Sequence, residues 1–435
     1  MIYNRETETL PRNDLAQLQI ERLQTTLNRV YRNVAFYRET FDRQRVDIEK
    51  IKSSDDLQRL PFTTKDDLRR SYPYGMFAVP LRDIVRLHAS SGTTGQPIVV
   101  GYTRNDLNHW SEVVARTLFA AGVTEHDVVQ IAFQYSLFTG GLGFHYGAER
   151  IGASVIPASS HTNATEQVMI MRDYKTSVLV TMPSHALALA EARDQLHLHP
   201  EALQLKIGIF GAEPWNEETR RHIEERLHIT AYDAYGLTEI IGPGIAGECA
   251  QRTGLHINED HFIAEVINPQ TLAPAPAGET GELVFTTLTK EGFPLIRYRT
   301  GDRASLDPAP CACGRTLARM SRVSGRTDDL LIIRGVKLFP TQLQEIARTL
   351  GGIAPQMRVV LSRVNEEETL EIQVAFADDF GGLDEVRHVE QMRRNFAQRV
   401  ENAIGITPKI VFLESATLHQ SCGAKNLRVV DLRKG

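Results

Sequence analysis

The sequence predicts an α/β protein with a large N-terminal domain and a small C-terminal domain. Its 435 residues exceed what one ordinary hydrophobic core holds together. Short apolar runs alternate with helical patterns over the first half, which favours a parallel or mixed sheet covered by helices. A second alternating region follows residue 328 and has about the size of one small domain.

The elements of the N-terminal domain follow from apolar spacing. Leu15 to Val34 recur at helical intervals, which predicts one amphipathic helix over residues 14–42. Further along, apolar runs predict strands at 128–133, 155–157, 178–181 and 207–210, and helical patterns lie at 165–174 and 185–193. From 262 to 303, strands at 266–267 and 282–286 around a Pro- and Gly-rich loop predict a mostly β subdomain.

A domain boundary is predicted at Asp328, which gives an N-terminal domain of residues 1–328 and a C-terminal domain of residues 329–435. The second domain is predicted to be α+β. Its expected strands are 330–333, 358–363, 370–376 and 410–413, and its expected helices are 341–350 and 383–404.

Composition excludes several classes of protein. The net charge of −5 and a pI of about 6.3 favour neither nucleic acid nor an anionic membrane as a partner. No run of eighteen apolar residues is present, so we expect no transmembrane helix. The N-terminus lacks the layout of a signal peptide, which leads us to expect a cytoplasmic protein. Four cysteines do not form a disulfide framework.

A loop rich in hydroxyls and glycines is the first functional candidate. It lies between two apolar runs and comprises Ser90, Ser91, Gly92, Thr93, Thr94 and Gly95. The glycines allow the backbone to approach a ligand, and hydroxyl and N–H groups can hold phosphate oxygens. The spacing is not that of a Walker loop. A plain turn is the competing interpretation.

Four later segments complete an ordered set of motifs: Gly211–Trp215, Tyr235–Glu239, Tyr298–Asp302 and Gly325–Asp329. With the hydroxyl loop first, this set resembles the adenylate-forming superfamily of acyl-CoA synthetases.

Two more phrases, Leu137–Gly143 and Ile332–Val336, make the chain similar to the phenylacetate–CoA ligase family from about residue 61 to residue 431. The resemblance implies the adenylate-forming fold with a mobile C-terminal domain. It also implies ATP-dependent ligation of an aromatic carboxylic acid to coenzyme A through an acyl-adenylate, with release of AMP and pyrophosphate.

The same resemblance assigns catalytic roles. Glu239 is the expected Mg²⁺ ligand, Thr238 contacts the α-phosphate and Tyr235 stacks on adenine. Asp302 can accept from both ribose hydroxyls, and Lys425 is expected to reach the reacting carboxylate and α-phosphate. For Glu239, Asp302 and Lys425, the competing interpretations are a surface carboxylate, a turn residue and a surface lysine.

The resemblance also assigns a hinge residue, further nucleotide contacts and the residues that line the acid pocket. Asp328 is the expected hinge. Further nucleotide contacts are assigned to Gly211, Ala212, Glu213, Pro214, Gly236 and Arg326. The acid pocket is assigned to Tyr135, Phe138, Gly141 and Ile156.

The cysteines provide a separate signal. Cys311 and Cys313 stand one residue apart before a glycine, and Cys249 and His256 precede them. Three cysteines and one histidine are a common set of ligands for structural Zn²⁺. Buried thiols without a metal are the alternative interpretation.

Two other functions fit the same sequence. The acyl group could pass to a carrier-protein thiol, or AMP itself could be transferred to another acceptor. A catalytically silent, zinc-stapled nucleotide-binding scaffold is the alternative outside enzymes. The expected partners are ATP, CoA and a small aromatic acid, and the oligomeric state stays open, with a homodimer as one option.

Overall fold

The chain forms two compact units, Met1–Ser324 and Gly325–Gly435. The computed structural model describes residues 1–90, 97–159, 162–327, 331–333, 336–338, 340–364, 367–377, 385–422 and 427–434. The boundary predicted at Asp328 stays a prediction, because residues 328–330 lie outside these ranges.

Unit 1, residues 1–324, contains helices and strands in alternation. Its helices are α1 (Arg5–Glu8), α2 (Arg12–Asn33), α3 (Ala35–Gln44), α4 (Lys65–Arg70), α5 (Arg104–Ala120), α6 (Gly140–Ile151), α7 (Ala164–Asp173), α8 (Pro183–Gln195) and α9 (Glu217–Leu227). Its strands are β1 (Arg86–Ala89), β2 (Val99–Tyr102), β3 (Val128–Ile131), β4 (Ser154–Ile156), β5 (Val178–Thr181), β6 (Ile207–Gly211), β7 (Thr230–Leu237), β8 (Gly242–Glu248), β9 (Leu255–Ile257), β10 (Phe262–Ile267), β11 (Gly281–Thr287), β12 (Tyr298–Ala304), β13 (Leu306–Asp307) and β14 (Arg319–Met320).

A nine-stranded sheet is the centre of unit 1, with strand order β13-β14-β9-β8-β7-β6-β5-β3-β4. Strands β4, β3, β5, β6 and β7 run parallel, and β8, β9, β14 and β13 extend the sheet with antiparallel pairs. Strands β10, β11 and β12 form a separate antiparallel sheet, the β subdomain expected from the sequence.

Helices cover both faces of the large sheet. On one face, Trp110 of α5 and Phe144 of α6 pack with Val129 and other strand residues in the largest apolar cluster. On the other face, α7, α8 and α9 pack on Leu179 and Phe210 in a second cluster. Parallel strands buried on both faces are typical of continuous apolar runs, which is why the sequence located β3, β5 and β6.

The long N-terminal helix was predicted wrongly as one element. The structure has α2 and α3, separated at Val34, which has extended backbone with φ −113° and ψ 108°. Val34 is fully buried. The apolar spacing continues through Val34, so periodicity alone does not reveal the break.

Strands β1 and β2 pair as an antiparallel hairpin, with Ala89 opposite Val99. Its closing contacts join Ser90 to Ile98: the Ser90 N–H donates to the Ile98 carbonyl oxygen over 3.0 Å. The hydroxyl loop beyond Ser90, residues 91–96, lies outside the described residues.

Unit 2, residues 325–435, is an α+β unit. Its elements are β15 (Leu331–Ile333), β16 (Val336–Leu338), α10 (Pro340–Leu350), β17 (Ile353–Val364), β18 (Glu367–Phe376), α11 (Glu385–Ile404), β19 (Lys409–Phe412), α12 (Ser415–Cys422) and β20 (Leu427–Asp431). The order β19-β18-β17-β20 forms a four-stranded sheet, and β15 pairs with β16. Phe396 of α11 and Leu343 of α10 pack on this sheet.

In the described part of the chain, no helix has both the length and the apolar character needed to cross a membrane.

Candidate active site

The candidate site lies where β6 and β7 end. Side chains that bind ligands gather at the carboxyl ends of strands in such sheets. At the end of β6, a Cβ on Gly211 would lie 2.2 Å from the Ala234 carbonyl oxygen, so glycine is required there. Ala212 follows with a positive φ of 68° and turns the chain away from the sheet.

At the end of β7, Tyr235 is linked to Asp302 of β12. The Tyr235 hydroxyl donates to Asp302 Oδ2 over 2.7 Å, and the Tyr235 ring stacks on Phe285, with 6.1 Å between ring centroids. Asp302 is 6% exposed, and its N–H donates to Thr300 Oγ1. The expected adenine platform and ribose acceptor therefore lie next to each other.

Thr238 and Glu239 form the turn that follows β7. The Oγ1 atoms of Thr238 and Thr139 lie 3.0 Å apart, so the turn contacts the start of α6. Glu239 is 5% exposed. Within the described residues, no hydrogen bond donor reaches its carboxylate. A buried carboxylate in this state fits an Mg²⁺ ligand, since Mg²⁺ binds oxygen ligands and offsets the cost of burying charge.

Glu213 has a structural partner in the loop after β6. Its Oε1 accepts from the Ser184 N–H over 2.6 Å at the first turn of α8. Burial raises the pKa of Glu213. Ala212 and Pro214 are exposed on either side. Of these three, Ala212 and Pro214 have the accessible surface that a nucleotide contact needs.

Sequence reasoning missed Asp233, which precedes Tyr235 by two positions on β7 and therefore points to the same face of the strand. Its carboxylate lies 3.5 Å from Nε of Arg322, whose guanidinium covers the Trp215 ring. Burial raises the pKa of Asp233 to about 7. An acidic residue inside an otherwise apolar strand is the sequence signal that could have identified Asp233.

Lys290 was also missed. This lysine is 3% exposed and donates from Nζ to the carbonyl oxygen of Ile240, the residue after Glu239, over 2.8 Å. Burial lowers the pKa of Lys290 to about 7, while the carboxylates of Asp106 and Glu239 act in the opposite direction. Nothing near position 290 distinguishes it from a surface loop in the sequence.

Three of the four expected acid-pocket residues lie together before and within α6. A Cβ on Gly141 would lie 3.3 Å from the Tyr135 ring. Tyr135 and Phe138 pack on the same apolar cluster. Ile156, by contrast, lies on the edge strand β4 opposite Gln130 and, within the described residues, is not part of that cluster.

The Tyr135 hydroxyl has a partner of its own. His145 lies 3.2 Å from it through Nδ1 and 3.1 Å from Glu149 Oε1 through Nε2. An ionised carboxylate only accepts hydrogen bonds, so Nε2 donates to Glu149. In the neutral imidazole, Nδ1 then accepts from the Tyr135 hydroxyl. The contact with His145 therefore sets the orientation of the Tyr135 hydroxyl.

Strand β1, which leads into the hydroxyl loop, contacts the loop of residues 135–139 that carries Tyr135 and Phe138. The Ala89 N–H donates to the Leu137 carbonyl oxygen over 3.0 Å, and His88 Nδ1 lies 3.0 Å from the same oxygen. Ser90, directly after Ala89, therefore begins the hydroxyl loop beside residues 135–139.

Gly236 lies on β7 directly after Tyr235 and belongs to this group; a Cβ there would meet the Gly242 carbonyl oxygen at 2.2 Å. Arg326 belongs to unit 2. Outside the described residues lie Ser91, Gly92, Thr93, Thr94, Gly95, Asp328 and Lys425.

The cysteine and histidine ligands form a compact group. Their ligand atoms, from Cys249, His256, Cys311 and Cys313, all lie within 4.8 Å of one another. Sγ of Cys249 lies 3.9 Å from Sγ of Cys311, and Sγ of Cys313 lies 3.4 Å from Nε2 of His256. A tetrahedral Zn²⁺ separates two sulfurs by about 3.8 Å, and sulfur from nitrogen by about 3.5 Å. The residues therefore fit this ion.

The surroundings of the cluster support the same conclusion. His256 Nδ1 faces the Leu317 carbonyl oxygen at 3.4 Å, which leaves Nε2 to face the cysteines. Arg315 lies 3.5 Å from Cys313 Sγ and pairs with the buried carboxylate of Glu8 over 2.5 Å. The pKa of Cys313 is lowered by hydrogen bonds and charge from Arg315, against the effect of its burial.

Comparison with known proteins decides the family. An AMP-binding enzyme family model matches residues 14–288, and a model of the AMP-binding enzyme C-terminal domain matches residues 335–433. The phenylacetate–coenzyme A ligase of Thermus thermophilus is 44% identical, over 100% of both chains. That of Escherichia coli is also 44% identical, over 98% of this chain and 97% of its own.

The chain belongs to the phenylacetate–CoA ligase family of adenylate-forming enzymes.

The solved structures agree. A 2-hydroxyisobutyryl-CoA ligase in complex with R3-HIB-AMP has a TM-score of 0.85 and 25% identity, and the match covers 100% of this chain and 93% of that chain. The same ligase with 2-HIB-AMP and CoA has a TM-score of 0.73 and 26% identity, over 98% and 92%. The chain is an ATP-dependent, AMP-forming acid–CoA ligase that acts through an acyl-adenylate.

Proposed function

We propose that this family member activates phenylacetate or a closely related aryl acid. The observation that carries the proposal is the contact between Thr139 and Thr238, whose hydroxyl oxygens lie 3.0 Å apart. Thr139 directly follows Phe138, and Thr238 directly precedes Glu239. An aromatic wall therefore meets the turn that is proposed to hold the phosphates, which is where the carboxylate of an aryl acid must lie.

The aromatic character of this wall supports an aryl ring as the ligand. Tyr135 and Phe138 are partly exposed beside buried aromatic side chains, and Phe133 stacks on Phe144 with 5.8 Å between centroids. Aromatic pairs favour stacked or edge-to-face contacts with a further ring. The phenylacetate–CoA ligases that the chain resembles support the same class of acid.

In the first half-reaction, the substrate carboxylate attacks the α-phosphorus of ATP and pyrophosphate leaves. Tyr235 and Asp302 hold adenosine, while Thr238 donates to the α-phosphate and Lys425 neutralises the two reacting anions. Glu239 would hold Mg²⁺, which would supply charge neutralisation at the phosphates. These roles place fixed charges and donors where negative charge develops.

In the second half-reaction, the CoA thiol attacks the acyl carbonyl carbon and AMP leaves with the bonding electrons. The thiol proton passes to solvent. The structures of a related ligase with CoA favour this acceptor over a carrier protein or direct transfer of AMP. Asp328 is proposed as the hinge between the two half-reactions, because hinges lie at few-residue junctions.

The Zn²⁺ that fits Cys249, His256, Cys311 and Cys313 has a structural role in this proposal. Four protein ligands leave no open position for a substrate, which is typical of a structural rather than a catalytic zinc. The ion would join the end of β8, strand β9 and the 311–313 turn.

An acid panel tests the proposed substrate. Phenylacetate, hydroxylated phenylacetates, benzoate, indole-acetate and short aliphatic acids are each incubated with ATP, Mg²⁺ and CoA, and the acyl-CoA products are identified by mass. We expect phenylacetyl-CoA to form fastest. Efficient turnover confined to aliphatic acids would contradict an aryl pocket while leaving the ligase activity intact.

A further inference from the structure

We propose that Lys290 is a positioning residue for adenylation, which holds the Thr238–Glu239 turn in place from its buried side. The inference rests on the proposed role of that turn in binding the phosphates and Mg²⁺. It adds Lys290, on the loop between β11 and β12, to the residues on which binding of the phosphates and Mg²⁺ depends.

The turn and the start of β8 are fixed through their carbonyl oxygens. Nζ of Lys290 donates to Ile240 over 2.8 Å, and the Tyr102 hydroxyl donates to Ile241 over 2.9 Å. Two further side-chain donors hold the Pro243 and Gly244 carbonyls at 3.0 and 2.8 Å: Trp110 Nε1 and Asn258 Nδ2, respectively. Lys290 holds the carbonyl nearest to Glu239.

Lys290 itself is held by an aromatic stack. Its Nζ lies 4.1 Å from the centre of the Tyr102 ring, a distance at which a cation is attracted to the ring face. The Tyr102 ring stacks on Trp110 with 5.0 Å between centroids and 20° between planes. His88 packs edge-on against both rings. The ammonium therefore has one defined position above this stack.

The loop that carries Lys290 is anchored at α5. Oδ1 of Asp106 accepts from the Glu291 N–H over 2.6 Å, and Oδ2 accepts from the Gly292 N–H over 2.9 Å. Asp106 is also part of the capping box of α5 with Thr103. The same carboxylate helps offset the charge of the buried ammonium, which would otherwise be costly.

Through these contacts, Lys290 influences the position of the residues proposed to bind the phosphates and Mg²⁺. The Ile240 carbonyl belongs to the residue that follows Glu239, so a shift of that carbonyl moves the Glu239 and Thr238 side chains. A displacement of about 1 Å in a reacting site costs about a hundredfold in rate. A neutral side chain would fill the same space but would release the carbonyl.

The first test compares Lys290→Met with Thr26→Val as a matched control. Thr26 is buried and donates to the Leu288 carbonyl oxygen over 2.9 Å, on the same loop but away from the turn. We expect adenylation by Lys290→Met, measured as acid-dependent ATP–pyrophosphate exchange, to fall by about tenfold to a hundredfold. Transfer from pre-made acyl-adenylate to CoA should stay close to the wild-type rate. Thr26→Val should lower Tm and leave both half-reactions close to wild type.

The second test is chemical rescue of Lys290→Ala. The lysine lines a cavity of about 220 Å³ with Arg22, Arg29 and His109, and we expect a small amine to enter the space that Lys290→Ala vacates from this cavity. Ethylammonium should restore adenylation in Lys290→Ala in a concentration-dependent way, and it should not change the rate of the Thr26→Val variant. This test carries the proposal if Lys290→Met does not fold.

Glu239→Gln is assayed in parallel to separate two kinds of failure. Adenylation at the wild-type rate by Lys290→Met, equal loss of both half-reactions, or the absence of amine rescue would each overturn the role of Lys290. Normal adenylation by Glu239→Gln would instead overturn the assignment of the turn on which the proposal rests.

Discussion

The Tyr235 hydroxyl donates a 2.7 Å hydrogen bond to Oδ2 of Asp302, and this contact joins β7 of the nine-stranded sheet to β12 of the three-stranded sheet. The two residues proposed to bind adenine and ribose are thus fixed to each other by a contact within the protein. Groups held in place in this way lose little further freedom on binding, which favours affinity.

Tyr235→Phe is expected to weaken nucleotide binding while the stacking surface stays. A hydrogen bond to a charged group contributes about 1.5–3 kcal/mol, so KM for ATP should rise by about tenfold or more. Steady-state kinetics at saturating acid measure the change. Tyr232→Phe, on the same strand, is the matched control and should leave KM close to wild type. An unchanged KM in Tyr235→Phe would show that the hydroxyl does not order Asp302 for ribose.

Glu239→Gln is expected to keep the fold and lose adenylation. The replacement is nearly isosteric but removes the charge proposed to bind Mg²⁺. Loss of a key electrostatic group costs about a hundredfold or more in rate. Pyrophosphate exchange over a range of Mg²⁺ concentrations measures it, with Glu201→Gln as an exposed carboxylate control. Wild-type exchange at ordinary Mg²⁺ would rule out the assignment.

Lys425→Ala is expected to separate the two half-reactions. Acyl-adenylate formation should be lost, because the ammonium is proposed to reach the carboxylate and α-phosphate in that step. Transfer from supplied acyl-adenylate to CoA should continue. Arg428→Ala serves as the comparison, since Arg428 is the next cation along the chain. If Lys425→Ala adenylates normally and Arg428→Ala does not, the role belongs to the arginine.

Gently purified protein is expected to contain about one zinc per chain, because four ligands form one closed structural site. Removal of the ion should lower Tm before it lowers activity, since metal binding contributes to folding. Elemental analysis and thermal unfolding measure both effects. Cys313→Ser should lose the metal, while Cys422→Ser, a buried cysteine of unit 2, should keep it. Protein without zinc would favour buried thiols instead.

Stability is expected to fall below about pH 6.5, with a contribution from His88. Burial lowers the pKa of His88 from 6.5 to about 4. Between these values the unfolded chain binds a proton that the folded chain does not, so stability is complete above pH 6.5 and declines towards pH 4. His88→Gln cannot titrate, and its Tm should therefore fall less over this range. Parallel Tm curves for the two proteins would exclude His88 from the effect.

The sequence predicted the elements whose burial leaves a local pattern. Strands β3, β5 and β6, and helices α7 and α8, lie within about two residues of the expected positions, because each presents a continuous or periodic apolar run. The break at Val34 has no such pattern, because the apolar spacing continues on both sides. Helix α12 and strand β20, on either side of residue 425, were missed in a short, mixed segment.

In the candidate site, too, the sequence predicted some residues and missed others. The motifs at Tyr235–Glu239 and Tyr298–Asp302 are contiguous in sequence, and the structure brings Tyr235 and Asp302 into contact. Lys290 depends instead on partners 50 residues away at Ile240 and still further away at Tyr102. No local pattern encodes a buried cation whose hydrogen-bond acceptor and nearest ring lie on other elements, and only the tertiary structure reveals it.

The buried pair of Glu8 and Arg315 connects residues 307 positions apart. This pair cannot form until almost all of unit 1, up to Arg315, has been synthesised. A nascent chain that stops before Cys311 leaves the Glu8 carboxylate without its partner and lacks two of the four proposed zinc ligands. Docking of the N-terminus through this pair and completion of the proposed zinc site therefore both require almost the whole of unit 1.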